Sequence, residues 1–378
     1  MRSAGGVDAA RAVLERRGEV PEALLSGEIG ASWNRCLQAG LDPTRAPRTP
    51  GIDAGAWREA RMKHERARRL ARCEMEELHG QIAGSNFLIA FASPDGTVLD
   101  AISDDSFRGP AQDRALEPRS CWKETLRGTN AMGLAATLRR PAVVHGAEHF
   151  FRADAGLTCV AEPVWGANGT LAGILDASTS STTRQLHTRA LLRMAAGQIG
   201  NALFRDRHRD RLILAIHNRE EFLFTSGAGL LALDADGQIL DASAQATVML
   251  HGLPAEAGQG FAAVFAGRFG DAVARRTAGE AFRLRDRSGA SFCAAVVARV
   301  AGAVMAGAGG AGAGGVASAW SSGATAAAET AAVAARAAAA AVRAPAGFVA
   351  EDPVLARAVA LAAAAARRRL PILVEGET

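Results

Sequence analysis

The sequence has few cysteines and no pairing pattern among them. They are odd in number and widely scattered, and no C-x-x-C occurs; the five are Cys36, Cys73, Cys121, Cys159 and Cys293. Disulfide-stapled domains and zinc modules use cysteines at short, regular spacings. The spacing therefore predicts reduced thiols in a cytoplasmic protein and excludes both a disulfide framework and a cysteine zinc site.

Long apolar runs are also missing. No apolar segment follows Met1, and the apolar stretch at 294–310 is interrupted by Arg299 and diluted by glycine. A membrane-spanning helix needs about 20 consecutive apolar residues, and a signal peptide needs an apolar core near the N-terminus. We therefore expect neither secretion nor a membrane partner.

Charge of one sign is not concentrated anywhere in the chain. The net charge is +4, lysine is scarce, and acidic residues are interleaved with the arginines. This pattern does not predict a nucleic-acid surface. The length of 378 residues, with 49% apolar residues, allows two or three domains with sizeable cores.

Four turn sequences lie between strand-like runs, at 93–96, 167–169, 234–237 and 287–289. Asp-Gly and Asn-Gly at such positions supply the positive φ angles that tight hairpins require. Helical periodicity covers 27–39, 57–82 and a long segment at 184–221. Two pairs of hairpins mixed with helices predict an α+β fold with two domains.

The C-terminal part has a different composition. Residues 301–347 are almost entirely alanine and glycine, which predicts a linker. Further on, an apolar strand runs into Gly376, Glu377 and Thr378, which match the start of a phosphate-binding loop of the form G-x-x-x-x-G-K-[ST]. The lysine of that loop is not in the sequence, so we expect no ATP chemistry from this chain.

Several motifs together resemble acetoin-catabolism-type (AcoR-like) activators of sigma-54 RNA polymerase. Ser32-Trp-Asn-Arg-Cys36 with Ala39–Pro43 is similar to that family's N-terminal signature. The family's GAF sensor domain is similar to four segments in the same order: Gly128–Gly133, Val144–Phe150, Leu157–Pro163 and Gly173–Ser178. Leu230–Leu253 resembles a PAS domain, and Gly347–Thr378 resembles the entry to an AAA+ ATPase.

The resemblance implies a ligand-sensing regulatory region that binds a small metabolite and controls a downstream ATPase. Its expected parts are an N-terminal helical region (1–57), a GAF-type domain (58–205), a connecting helix (206–221), a PAS-like domain (222–300), a linker (301–346) and the start of an AAA+ domain (347–378). ATP and Mg, sigma-54 polymerase and promoter DNA are expected only of the full-length parent. We further expect a homodimer formed through the 184–221 helix. A stand-alone sensor or adaptor that does not bind DNA is the alternative.

His145-Gly-Ala-Glu-His149 matches the H-x-x-E-H string of some metalloproteases. That chemistry requires both histidines on one face of a regular helix, whereas these follow a strand end and a glycine. A metal-dependent hydrolase is therefore a remote alternative, and we predict no catalytic and no metal-binding residue. The candidate ligand-binding residues of the GAF region are Trp122, Thr129, Asn130, His145, Glu148, His149, Phe150 and Cys159.

Each candidate also has a purely structural interpretation. Thr129 and Asn130 sit where helix-capping residues are expected. Cys121 and Cys159 are typical of small buried apolar residues, with redox sensing as the alternative. We interpret Asp176 and Ser178 as a turn at the end of a strand.

Overall fold

The computed structural model describes residues 4–47, 51–82, 86–105, 107, 116–180, 186–274 and 276–298. The predicted linker and the predicted start of an AAA+ domain, including Gly376, Glu377 and Thr378, lie outside the described residues. Within them the chain forms two five-stranded antiparallel sheets combined with helices. The α+β prediction is confirmed at this level.

The N-terminal part is helical. Helix α1 spans Ala4–Arg17, α2 spans Gly27–Gln38 and α3 spans Ala54–Ile82. The hydroxyl of Ser26 accepts a hydrogen bond from the backbone N–H of Ile29 (3.3 Å), which satisfies one of the free donors at the start of α2.

The first sheet has the strand order β2-β1-β5-β4-β3. Helices α4 (Glu124–Arg127) and α5 (Ala131–Leu138) lie between β2 and β3 in the chain. The strands are β1 (Phe87–Ala92), β2 (Val98–Ser103), β3 (Ala142–His145), β4 (Thr158–Trp165) and β5 (Leu171–Thr179).

Both faces of this sheet are buried, because side chains alternate along each strand. On one face Ile89 and Phe91 of β1 pack against α3 and against α6, a helix that spans Leu186–Arg207. On the other face Leu88 and Ala90 pack with residues of α1, α2 and α5. The first sheet is therefore enclosed between two helical layers.

The prediction of one long helix over 184–221 is wrong for the C-terminal part of that segment. Helix α6 ends at Arg207, and Leu212–His217 form strand β6 at the centre of the second sheet. The segment Leu-Ile-Leu-Ala-Ile is fully apolar, and a short apolar run of this kind fits either a helix or a buried strand when only periodicity is considered. This segment forms a strand because it pairs with β7 on one side and with β10 on the other.

The second sheet has the order β8-β7-β6-β10-β9. The strands after β6 are β7 (Gly229–Leu233), β8 (Ile239–Ala242), β9 (Ala281–Arg285) and β10 (Ser291–Ala298), and the helices are α7 (Ala244–Met249) and α8 (Phe261–Val264). Phe204 of α6 packs on one face of this sheet, while Leu192 and Ile199 of the same helix pack on the first sheet. Helix α6 thus belongs to both cores.

The four predicted hairpins are confirmed. They are β1–β2, β4–β5, β7–β8 and β9–β10, each joined at the turn that the sequence indicated.

A buried carboxylate joins the two sheets. Asp241 of β8 accepts hydrogen bonds from the backbone N–H of Asn168, at the tip of the β4–β5 hairpin (3.0 and 2.8 Å to its two oxygens). Its Oδ2 also accepts from Nε2 of His208, just after α6 (2.8 Å). The hairpin of the first sheet, the end of α6 and the edge strand of the second sheet therefore meet at one side chain.

Candidate ligand site and the loops around it

The N-terminal signature docks on α4 through Glu124. This carboxylate is 4% exposed and accepts from Nε and Nη2 of Arg35 (2.9 Å each), which is half-buried on α2. It also accepts from the hydroxyls of Ser32 and Thr137 (3.0 Å for Thr137). Because the donors come from both α2 and α5, Glu124 fixes the N-terminal helices onto the first-sheet domain.

Thr129 and Asn130 are fully engaged in holding this region together. Asn130 is the N-cap of α5, accepting from the N–H of Gly133 (2.8 Å) and donating to the carbonyl oxygen of Trp122 (2.9 Å). The capping expected for Asn130 is confirmed. The Thr129 hydroxyl lies 2.7 Å from that of Ser32.

Steric constraints explain the glycines at positions 128 and 133, on either side of Thr129 and Asn130. Gly128 has φ +71°, and a Cβ there would lie 2.7 Å from Cβ of Phe150. A Cβ on Gly133 would lie 2.7 Å from the carbonyl oxygen of Trp122 and 2.9 Å from the nitrogen of Glu124. Both distances are shorter than packed atoms tolerate, so these positions require glycine.

The H-x-x-E-H string forms a strand end followed by one 3₁₀ turn. His145 ends β3, with Nδ1 2.7 Å from the hydroxyl of Thr158, and the Glu148 carboxylate accepts from the His145 backbone N–H (2.8 Å). His149 is completely buried and donates from Nδ1 to the carbonyl oxygen of Gly146 (3.0 Å). Burial lowers the pKa of His149 to about 4, so the ring is neutral at pH 7.

The N-terminal helices cover this turn. Nη2 of Arg11 donates to the carbonyl oxygen of Ala147 (2.6 Å), and Nη1 donates to that of Phe150 (3.1 Å). Nε1 of Trp33 donates to the carbonyl oxygen of Glu148 (2.9 Å). In the described part of the chain no group of three potential metal ligands occurs, and the turn is held by backbone contacts.

The interpretation of Asp176 and Ser178 as a strand-end turn is wrong. Both lie inside β5, the central strand, on the face opposite α3 and α6. Cross-strand pairing places Asp176 in a row of five residues that crosses the whole sheet, and the other four are alanines: Ala101, Ala90, Ala161 and Ala142. One acidic side chain thus stands on an otherwise small and apolar stretch of sheet.

Asp176 is 1% exposed and only partly satisfied. Its Oδ2 accepts from the Ser178 hydroxyl (2.7 Å), while Oδ1 has no hydrogen-bond partner among the described residues. Burial raises the pKa of Asp176 to about 7, against the smaller opposing effect of the Ser178 hydrogen bond. Near neutral pH the group is therefore partly a neutral carboxylic acid, which can donate as well as accept a hydrogen bond.

Of the predicted candidates, Cys159 is the one that reaches this site. Its Sγ lies 3.1 Å from the Ser178 hydroxyl, and it pairs across the strands with Ser178. Trp122 and Phe150 are buried in the core on the same side of the sheet. The missed signal was an aspartate enclosed by apolar residues in Ile174-Leu-Asp-Ala177, because a charged residue inside a buried strand is rare without a partner.

The family is established by comparison with known proteins. The family described as MimR, N-terminal domain, matches residues 7–201, which is more than half of the chain. The chain belongs to this family. The matched region begins within α1 and ends within α6, and it includes the whole first sheet.

Named relatives give the same picture. The acetoin catabolism regulatory protein of Cupriavidus necator is 31% identical over 229 residues, which is 59% of this chain and 34% of the relative. The acetoin dehydrogenase operon transcriptional activator AcoR of Bacillus subtilis is 28% identical over 45% of this chain and 28% of its own length. The propane 2-monooxygenase operon transcriptional activator MimR of Mycolicibacterium smegmatis is 30% identical over 38% of this chain and 24% of its own length.

The resemblance to the sensory part of AcoR-like activators is confirmed by these relatives. The chain covers about a third or less of the length of each. One is named as a regulatory protein and two as transcriptional activators, in agreement with the prediction that this chain is not an enzyme. A solved complex of E. coli DhaR(N) with DhaL aligns with 72% of this chain and 99% of that chain at 16% identity, with a TM-score of 0.46. Among the described residues, no helix has the length and apolar character of a membrane span.

Proposed function

We propose that this chain is the effector-sensing region of a transcriptional activator, and that a small neutral metabolite binds on the first sheet at Asp176. The observation that carries the proposal is the unsatisfied Oδ1 of a side chain that is 1% exposed. A buried polar oxygen without a partner costs about 1–3 kcal/mol. A ligand that supplies the missing hydrogen bond would recover that free energy on binding.

The surroundings of Asp176 favour a compact ligand with a hydroxyl or carbonyl group. The flanking residues Ala90 and Ala161 are small, and Ser178 and Cys159 add two further polar atoms. None of the interactions that shift the pKa of Asp176 comes from a cation, which disfavours an anionic ligand. Two relatives are named for acetoin, and acetoin carries one hydroxyl and one carbonyl group.

The two sheet units would act as GAF-type and PAS-like domains of the regulator. In the full-length protein, effector binding would change the activity of a downstream AAA+ ATPase that acts on sigma-54 polymerase at promoter DNA. Homodimerisation through α6 belongs to the same proposal. Sedimentation velocity of the protein would test it, because a dimer of this chain would have about twice the mass of 39.1 kDa.

Titration calorimetry with three matched compounds tests the effector site. Acetoin, butanone (no hydroxyl) and 2-butanol (no carbonyl) are titrated into the wild type and the Asp176→Asn variant. We expect acetoin to bind most tightly, and Asp176→Asn to weaken it about 10-fold or more, because the amide has a single acceptor oxygen and cannot accept from both Ser178 and the ligand as the two carboxyl oxygens can.

The control is Asp100→Asn. Asp100 lies on β2 of the same sheet and forms ion pairs with Arg68 (2.6 Å) and Arg72 (2.9 Å) of α3, away from the alanine row. Acetoin should bind this variant as it binds the wild type. Equal binding to the wild type and Asp176→Asn would reject the site.

A further inference from the structure

A cavity lies where the two sheet units meet. It has a volume of about 610 Å³ and is lined by the end of β4, by one side of α6 and by the start of α7. Small-molecule sites typically have 300–1,000 Å³ and occur preferentially between domains. Residues that line this interdomain cleft include Glu162, Trp165, Arg193, Phe204, Gln245 and Val248.

The interdomain cleft is separate from the effector site proposed above. Glu162 pairs across the strands with Leu175, and both belong to the face of the first sheet that packs on α6. Asp176 is the next residue after Leu175 and lies on the opposite face. A ligand in the cleft therefore cannot contact Asp176 without crossing the sheet.

Glu162 is an unsatisfied acid in this cleft. It is 4% exposed, and its Oε1 has no hydrogen-bond partner among the described residues. Nε of Arg189 lies 4.0 Å from Oε1 of Glu162, which is too far for a hydrogen bond. Burial raises the pKa of Glu162 to about 7, against the opposing effect of Arg189 and Arg193. The fold thus keeps a buried acid with one oxygen available.

Arg193 supplies the opposite charge. It follows Arg189 by one turn of α6, is exposed, and forms no ion pair within the described part of the chain. A guanidinium group with free donors is a good binding partner for a carboxylate, which it can hold by two parallel hydrogen bonds.

The remaining walls are largely apolar. Pro163 and Trp165 of β4 line the first-sheet side. Val248 of α7, which is 69% exposed, lines the second-sheet side together with Ala244. An exposed apolar side chain next to a cavity has surface that a ligand can bury.

We propose that the interdomain cleft binds a small 2-hydroxy or 2-amino acid with an aryl or branched apolar body. The carboxylate would pair with Arg193, the neighbouring hydroxyl or amino group would donate to Oε1 of Glu162, and the apolar body would lie against Trp165 and Val248. Such a ligand contacts both sheet units and α6, so its binding would favour one arrangement of the two units.

Calorimetry with 3-phenyllactate and two analogues tests the ligand class. The analogues are 3-phenylpropionate, which lacks the hydroxyl, and 3-phenylpropane-1,2-diol, which lacks the carboxylate. We expect 3-phenyllactate to bind about 3- to 10-fold more tightly than 3-phenylpropionate and more than 10-fold more tightly than the diol, because charge-assisted hydrogen bonds are the stronger ones.

Three variants test the residues. Arg193→Gln should weaken 3-phenyllactate more than 10-fold, while Arg209→Gln, an exposed arginine outside the cleft, should leave it unchanged. Glu162→Leu should abolish the advantage of 3-phenyllactate over 3-phenylpropionate. The same variant should unfold at a higher temperature than the unliganded wild type, because an apolar side chain of similar size removes an unsatisfied buried acid.

Binding of 3-phenyllactate should survive in Asp176→Asn, which separates this cleft from the effector site. Equal affinity for all three compounds, unchanged binding in Arg193→Gln, or no detectable binding of 3-phenyllactate at millimolar concentration would each overturn the proposal. None of these results would bear on acetoin binding at Asp176.

Discussion

The attachment of the N-terminal helices depends on Glu124, and its removal should detach them. Four hydrogen bonds converge on this carboxylate: one each from Ser32 and Thr137, and two from Arg35. Substitution of Glu124 by alanine removes both acceptor oxygens, and with them all four hydrogen bonds, and leaves a space between α2, α4 and α5. The other interactions of α2 with the first-sheet unit, such as that of Trp33 with Glu148, would remain.

The expected cost can be estimated from the partners. Arg35 is one-third exposed and can regain water, so its contribution is modest. Ser32 is fully buried, and its hydrogen bond to a charged acceptor contributes about 1.5–3 kcal/mol, whereas Thr137 is exposed and can hydrogen-bond to water instead. We therefore expect Glu124→Ala to lower the free energy of unfolding by about 2–4 kcal/mol, which corresponds to a fall in Tm of about 10 °C.

Urea unfolding and hydrogen exchange together measure this effect. Hydrogen exchange should show a selective loss of protection in α2, since the first sheet keeps its own core. The control is Glu28→Ala, which breaks an ion pair between α2 and Arg140 (2.6 Å) whose side chains are 44% and 55% exposed. That change should cost about 0–1 kcal/mol. If both variants lose the same stability, or if α2 keeps its protection in Glu124→Ala, the carboxylate does not hold the helix.

Three further predictions concern other parts of the fold. The pKa of Asp176 is raised from 3.8 to about 7, so between about pH 4 and pH 7 the native state holds a proton that the unfolded chain releases, and stability falls as the pH rises. In urea unfolding at successive pH values, Asp176→Asn should reduce this pH-dependent loss of stability by a few kcal/mol. An unchanged dependence on pH would show that Asp176 is not the group responsible. His149 acts in the opposite sense, because its pKa is lowered from 6.5 to about 4. The stability that comes from neutral His149 is lost as the pH falls from about 6.5 to 4, and this loss should be easier to see in Asp176→Asn. Gly133→Ala should lower the free energy of unfolding by about 1–3 kcal/mol, because the added methyl group overpacks against Trp122. Gly80 is a helical glycine with open space around it, so Gly80→Ala should be neutral or stabilising by up to about 1 kcal/mol. Equal Tm values for the two variants would contradict the steric explanation. Asp241→Ala should separate calorimetric unfolding into two transitions, one for each sheet unit, and a single transition with unchanged Tm would show that other contacts couple the units.

The four hairpins could be predicted from the sequence because the signals for their turns are local. The turn glycines require positive φ angles, which the structure shows at Gly96, Gly169, Gly237 and Gly289. Strand β6 could not be predicted, since its apolar run carries no period and its identity as a strand depends on partners that lie far away in the chain.

The candidate site was harder to predict for a related reason. Asn130 was correctly expected to cap a helix, because capping is a contact within a few residues. Asp176 was missed because its importance comes from the alanines across the sheet and from the unsatisfied Oδ1, neither of which is a property of its own segment. A buried charge is recognisable only after the strand register is known.

The bond between the two sheets has a consequence for how sequences of this fold can diverge. Asp241 contacts position 168 through the backbone N–H, not through the asparagine side chain. Any residue that tolerates φ near +55° at position 168 preserves the contact, so glycine or aspartate should replace Asn168 freely, whereas proline would remove the donor. The sequence at the hairpin tip can therefore vary, whereas residue 241 must keep a side chain that accepts hydrogen bonds.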